Sequence, residues 1–149
     1  MKLKLPLIAA FVAMLSLTAC GGGSNNALPP VAVANPAALL ITEMTVGTGA
    51  VASGTKLVQV HYTVWLYSAT ATDHKGTQIE SSVNSTPLEF RMGANKVIPG
   101  FETGVTGMKV GGKRNVHIPS NLAYGATGSG PIPPNAGLVF EISLLSAIN

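Results

Sequence analysis

Val58-Gln59-Val60-His61-Tyr62-Thr63-Val64-Trp65-Leu66 alternates strictly. Val58, Val60, Tyr62, Val64 and Leu66 fall on one side of an extended chain, and Gln59, His61, Thr63 and Trp65 on the other. A period of two marks a half-buried β-strand, because successive side chains point to opposite faces. The same pattern recurs along the chain. Leu88, Phe90 and Met92 alternate with Glu89 and Arg91, and Val116 and Ile118 with Asn115 and His117. Leu138, Phe140, Ile142 and Leu144 alternate with Val139, Glu141 and Ser143. A first strand is predicted around residues 40–46, ended by Gly47-Thr48-Gly49. One stretch suits a helix. Pro99-Gly100-Phe101-Glu102-Thr103-Gly104-Val105 has proline at its start and places Phe101 and Val105 on one face. Its two glycines make it short and dependent on packing. The polar, threonine-rich run 68–82 reads as a long loop or hairpin tip. Together these elements predict an α+β domain, a curved antiparallel β-sheet of about five strands wrapped around one short α-helix.

The chain ahead of this domain has a different character. A length of 149 residues leaves room for one domain. Charged residues make up only 10% and apolar ones 46%, which excludes a highly charged disordered chain. The single cysteine, Cys20, excludes an internal disulfide framework and a multi-cysteine zinc or iron–sulfur site. Lys2 and Lys4 precede an apolar run, residues 5–17. At about 13 residues it matches the core of a secretory signal and falls short of the ~18–20 that span a bilayer. The run ends Leu17-Thr18-Ala19-Cys20, which resembles the bacterial lipobox. That resemblance implies diacylglycerol on the Cys20 thiol, cleavage before Cys20, and acylation of the new amino group by a chain such as palmitate. Each buried methylene contributes about 0.8 kcal/mol and one chain binds only marginally, so stable anchoring takes several. Gly21, rather than aspartate, resembles an outer-membrane sorting signal. The expected location is the outer membrane of a Gram-negative bacterium, facing the periplasm, with surface display as the alternative.

From Gly21 to Ala37 there is no charge, and Pro29, Pro30 and Pro36 disfavour helix. The chain therefore reads as a signal peptide (1–19), a lipidated N-terminus and flexible linker (20–37), and a domain (38–149). The formal charge of +3 suggests an anionic partner. Removing Lys2 and Lys4 leaves seven basic against six acidic residues, a charge of +1, and the nucleic-acid reading lapses.

Tyr62, Phe90 and Phe140 fall on the inward sides of three strands, and Phe101 comes from the helix. Such residues fill any small core. The connecting segments are more specific. Val60-His61-Tyr62-Thr63, Val97-Ile98-Pro99-Gly100-Phe101-Glu102-Thr103-Gly104-Val105, Ala123-Tyr124-Gly125-Ala126-Thr127-Gly128, Ile132-Pro133-Pro134-Asn135-Ala136 and Leu138-Val139-Phe140 resemble the FKBP-type peptidyl-prolyl cis-trans isomerases, the macrolide-binding immunophilins. The resemblance spans about residues 38–149. It implies the same sheet-around-helix fold and an enzyme that isomerises X–Pro bonds with no cofactor and no metal. It also implies a pocket made by Tyr62, Glu80, Phe90, Val97, Ile98, Phe101, Tyr124, Ile132 and Phe140. By the same resemblance Tyr124, Phe101 and Glu80 are the catalytic residues and the others bind substrate. Phe101 is the floor, the Tyr124 hydroxyl donates to the substrate carbonyl with help from the Ile98 N–H, and Glu80 holds the Tyr62 hydroxyl. Phe101 stands where the family often has tryptophan, Glu80 where aspartate is common, and Ile79 and Leu88 where aromatic residues are frequent. Expected partners are prolyl-containing polypeptides, macrolides such as rapamycin, and the membrane through Cys20. Without a dimerisation helix between linker and domain, a monomer is expected.

Other chemistries find less support. His61, His74 and His117 lack metal-ligand spacing, and there is no G-x-S-x-G nucleophile turn. Gly125-Ala126-Thr127-Gly128 has no lysine where a phosphate loop needs one. Lys109, Lys113 and Arg114 read as a solvated edge. The expected role is assistance in folding exported proteins. The alternative is a non-catalytic, lipid-tethered chaperone or peptide-binding module on the same fold.

Overall fold

The structure, a computed structural model, describes residues 33–149. Cys20, the signal peptide and most of the linker lie outside those residues. The elements in chain order are β1 (Leu40–Thr45), β2 (Leu57–Tyr67), β3 (Lys75–Ser81), β4 (Leu88–Arg91), α1 (Pro99–Val105), β5 (Lys113–Ile118) and β6 (Leu138–Ile148), with a short 3-10 turn at Ser120–Leu122. The strands form one antiparallel sheet ordered β1-β5-β6-β2-β3, with β4 also on β2. Strand β2 is its spine, pairing β6 from Leu57↔Ile148 to Leu66↔Leu138. Its other edge is divided. Strand β4 takes residues 57–60 and β3 takes residues 63–67. Ser82 bridges the gap. It donates its N–H to the Tyr62 carbonyl at 2.9 Å and accepts the Tyr62 N–H on its hydroxyl, also at 2.9 Å.

The alternating residues build the core. Val58, Val60, Val116, Ile118, Leu138, Ile142 and Leu144 are buried, and α1 lays Phe101 and Val105 against them. Pro99 opens the helix, where a missing N–H costs nothing. Gly100 and Gly104 let the helix sit directly on β5. A Cβ at Gly100 would run into Ile118, and one at Gly104 would lie 2.9 Å from Val116. Arg114 closes the far end, donating to the Gly104 and Thr106 carbonyls at 2.8 and 2.7 Å. Among the described residues no helix is long and apolar enough to cross a membrane.

Three features differ from the sequence expectation. The sheet has six strands rather than about five, because the second half of the 68–82 run is β3. Its pairing slips against β2 between Val64 and Trp65 and again between Trp65 and Tyr67. Two irregularities in seven residues erase the alternation that marks a strand. Val139, on the polar side by alternation, is fully buried. It pairs with Trp65 on one side and His117 on the other, and these large rings flank it. Finally, residues 34–36, counted with the linker, are docked on the domain: Pro36 is buried and Asn35 is hydrogen-bonded to Ser120.

Two strand ends carry electrostatics. In β1, Glu43 pairs with Arg114 at 2.5 Å, and the register shifts between Glu43 and Thr45. Leu40 and Met44 beside it are exposed, and among the described residues β1 pairs with β5 alone. On the outer face, Lys75 reaches Glu141 at 2.9 Å and lies 4.5 Å over the Trp65 ring, while Lys113 binds the other Glu141 oxygen. Burial pushes the Glu141 carboxyl up, but hydrogen bonds and charge from Lys113 and Lys75 outweigh it and hold the group below the usual range. His117 is also held below its ordinary value, by burial first and then by His74 and Lys75. In both cases the unfolded chain takes up its proton before the folded one does. Their stabilisation is therefore complete above the unfolded values, about 6.5 for His and 4.3 for Glu, and is lost as pH falls through the folded ones. Tm should decline from pH 7 to pH 4, and Glu141→Gln should flatten the decline below pH 5. A Tm constant across that range in calorimetry would contradict this account.

Candidate active site

Helix α1 delivers Phe101 to the centre of an aromatic group. Its ring meets Phe140 at 5.1 Å and Tyr62 at 5.8 Å edge to face, and Phe90 at 5.9 Å on a tilt. Edge-to-face contacts put the positive rim of one ring on the negative face of another and add to the area buried. Phe101 is 2% exposed and lines a cavity of about 540 Å³. Tyr62, Glu80, Val97, Ile98, Phe101, Tyr124, Ile132 and Phe140 all line it. Phe90 does not. It is buried against Phe101, outside the lining, because alternation sets the side of a strand residue but not its depth.

Val64, Ile79, Leu88, Asn95, Lys96 and Pro99 complete the wall. Val64 was legible as an inward strand residue, though not as wall. Ile79 sits at the first slip of β3. Asn95 and Lys96 lie in the turn before α1, where no periodicity exists to place them. The left-handed backbone of Asn95, φ 53°, is tolerated by asparagine better than by most residues.

Tyr62, Glu80 and Tyr124 bring polar groups to the lining. Burial first, then the adjacent Glu80 carboxylate and its hydrogen bond, push the Tyr62 hydroxyl up to about 12. Tyr62 therefore stays a protonated donor at any physiological pH. Tyr124 is 38% exposed. Its loop is folded back on itself: the Ser120 carbonyl accepts the N–H groups of Ala123 and Gly125 at 3.0 and 2.8 Å, one on each side of Tyr124. The Ile98 carbonyl accepts the N–H groups of Phe101 and Glu102 at 3.0 and 3.2 Å and starts the helix. The Ile98 N–H donates to no backbone acceptor among the described residues. The lining thus combines apolar and aromatic side chains with the Tyr62 and Tyr124 hydroxyls and with Ile98, whose N–H is not taken up by a backbone acceptor among the described residues. It can take an apolar ring and hydrogen-bond a carbonyl attached to it. Among the described residues no three histidine, cysteine or carboxylate side chains cluster as metal ligands.

The family model for FKBP-type peptidyl-prolyl cis-trans isomerase matches residues 48–145. The chain belongs to that family. An FKBP relative, the FK506-binding protein of Neisseria meningitidis serogroup A, is 43% identical over 109 residues, 72% of this chain and 94% of that protein. The FKBP-type peptidyl-prolyl cis-trans isomerase FkpA of Aeromonas hydrophila is 48% identical over 101 residues, 67% of this chain and 34% of that protein. The crystal structure of AtFKBP13 matches with a TM-score of 0.64 and 32% identity, covering 76% of this chain and 95% of that one. The six-stranded sheet and short helix are therefore the FKBP fold, and the chain is an FKBP-type isomerase.

Proposed function

We propose that the protein isomerises X–Pro bonds of exported polypeptides in the Phe101-floored cavity, acting at the membrane to which Cys20 fixes it. The observation that supports the site is one cavity lined together by the aromatic rings of Phe101 and Phe140, by Tyr124 and by Ile98, whose N–H has no backbone acceptor among the described residues. The reaction asks little of the protein chemically. Rotation about an X–Pro bond crosses about 18–20 kcal/mol because amide resonance is lost in the twisted state. Left alone it takes tens to hundreds of seconds. The planar amide is more dipolar than the twisted one. Leaving water for an apolar cavity therefore costs the planar form more, and the twisted form binds relatively better. Phe101, Val97, Ile98 and Phe140 surround the proline ring. Tyr124 and the Ile98 N–H hold a carbonyl while the amide turns, and Glu80 fixes Tyr62 at the rim. Lowering the barrier by about 5–7 kcal/mol would accelerate exchange roughly 10⁴–10⁵-fold.

NMR exchange on a short prolyl peptide tests this directly. Acceleration that rapamycin abolishes is the expected result. Peptide binding without acceleration would mark a non-catalytic chaperone module instead. Tyr124→Phe separates the two contributions. One neutral hydrogen bond is worth about 1 kcal/mol, so macrolide affinity should drop about five- to tenfold. Catalysis, carried mainly by desolvation, should drop about threefold or less. A loss of turnover much larger than the loss of macrolide affinity would overturn this division of labour.

A further inference from the structure

The loop that carries Tyr124 is not held by the sheet alone. Its backbone hangs on Ser120, whose carbonyl binds the amides on both sides of Tyr124. The Ser120 N–H in turn donates to the Asn35 side-chain carbonyl at 2.8 Å, across 85 residues of sequence. The second pocket loop ends at the same place. Ile132 leads into Gly137, whose N–H donates to the Ala34 carbonyl at 3.2 Å and whose carbonyl accepts the Tyr67 N–H at 2.8 Å. Gly137 lies so close to the incoming chain that a Cβ there would run into Pro36 and stand 3.0 Å from the Asn35 Cα. The two loops are tied to each other as well, by the Asn135 N–H on the Gly125 carbonyl at 2.8 Å. Residues 34–36 therefore clasp both loops that supply Tyr124 and Ile132 to the lining of the cavity.

We propose that Asn35 is a positioning residue of the active site, holding Tyr124 through Ser120, so that the foot of the linker belongs to the catalytic apparatus. This rests on the reading of the cavity as the prolyl site. Asn35 touches no substrate in this account. Its effect passes through the orientation of the Tyr124 loop, and the partly buried bond gives a role to the one polar side chain between Asn26 and Thr42.

The test uses the full chain, with variants Asn35→Ala and Asn35→Asp, each alone and combined with Tyr124→Phe. Asp retains the acceptor oxygen. Rapamycin affinity and prolyl-peptide exchange are measured at a temperature where every variant is shown by circular dichroism to be folded. Asn35→Ala should weaken rapamycin binding about fivefold, and Asn35→Asp should stay within twofold of the natural chain. In the Tyr124→Phe background, Asn35→Ala should add less than twofold, because it acts through the group already removed. Amide exchange at Ala123 and Gly125 should quicken in Asn35→Ala. An equal loss with and without the Tyr124 hydroxyl would show a merely structural role and overturn the proposal. So would unchanged affinity in Asn35→Ala. If the natural chain neither binds rapamycin nor accelerates exchange, the reading of the cavity fails. The clasp is then judged on amide exchange alone, and unchanged exchange at Ala123 and Gly125 overturns it.

Discussion

Phe101→Ala should remove more than a hundredfold of the isomerase activity and about 3–5 kcal/mol of stability. The ring is almost wholly buried and contacts Tyr62, Phe90 and Phe140, so its deletion leaves a hole that three rings on separate strands cannot close together. Phenylalanine-to-alanine changes in such positions typically cost this much, part from lost transfer energy and part from the cavity. Activity falls for a separate reason. The floor of the site drops away, water enters, and the planar amide is no longer disfavoured relative to the twisted one. Phe101→Leu separates the two losses. It keeps most of the volume and should remain folded, yet should still lose activity because the flat apolar floor is gone. Urea titration and peptide exchange on both variants measure the pair of effects. Natural activity and stability in Phe101→Ala would remove this residue from the site.

Cys20→Ala should leave the protein wholly without acyl chains. Nothing in residues 33–149 offers a spanning helix, so the proposed anchor rests on the acyl chains of Cys20. One acyl chain holds a protein only marginally and three hold it firmly, so loss of the thiol is close to all-or-none. Radiolabelled palmitate uptake by the two forms checks it. A variant that still took up fatty acid would refute the anchor. Because the domain does not contain Cys20, peptide exchange by the unlipidated variant should match that of the lipidated one.

Much of this molecule was legible in its residues, for reasons that differ from place to place. Strand β2 and helix α1 were readable because their patterns are local. One is an unbroken alternation of nine residues, the other a proline with two apolar residues four apart. The aromatic centre followed, since an inward Tyr62 and Phe140 must meet whatever the helix brings. Depth was not readable. Phe90 has the same alternation as Phe140, yet it lies behind Phe101 because β4 pairs with the far part of β2. Strand β3 was hidden by its two slips. Asn95 and Lys96 were hidden because a turn has no period. Asn35 carried no local signal at all: its one informative partner, Ser120, is 85 residues away.

Among the described residues, strand β1 leaves one side of its backbone unpaired by the sheet, next to Leu40 and Met44. A bare edge of that kind is a template on which a second molecule can add its own strand. Here the template is spoiled. The shift between Glu43 and Thr45 breaks the even spacing of donors and acceptors, and the salt-bridged Glu43 puts a charge in the middle of the row. Under the proposed Cys20 anchor, molecules held to one surface would meet in two dimensions, far more often than the same number free in a compartment. The irregularity in β1 matters little to a solitary copy. On such a surface it would raise the density at which neighbours begin to stick.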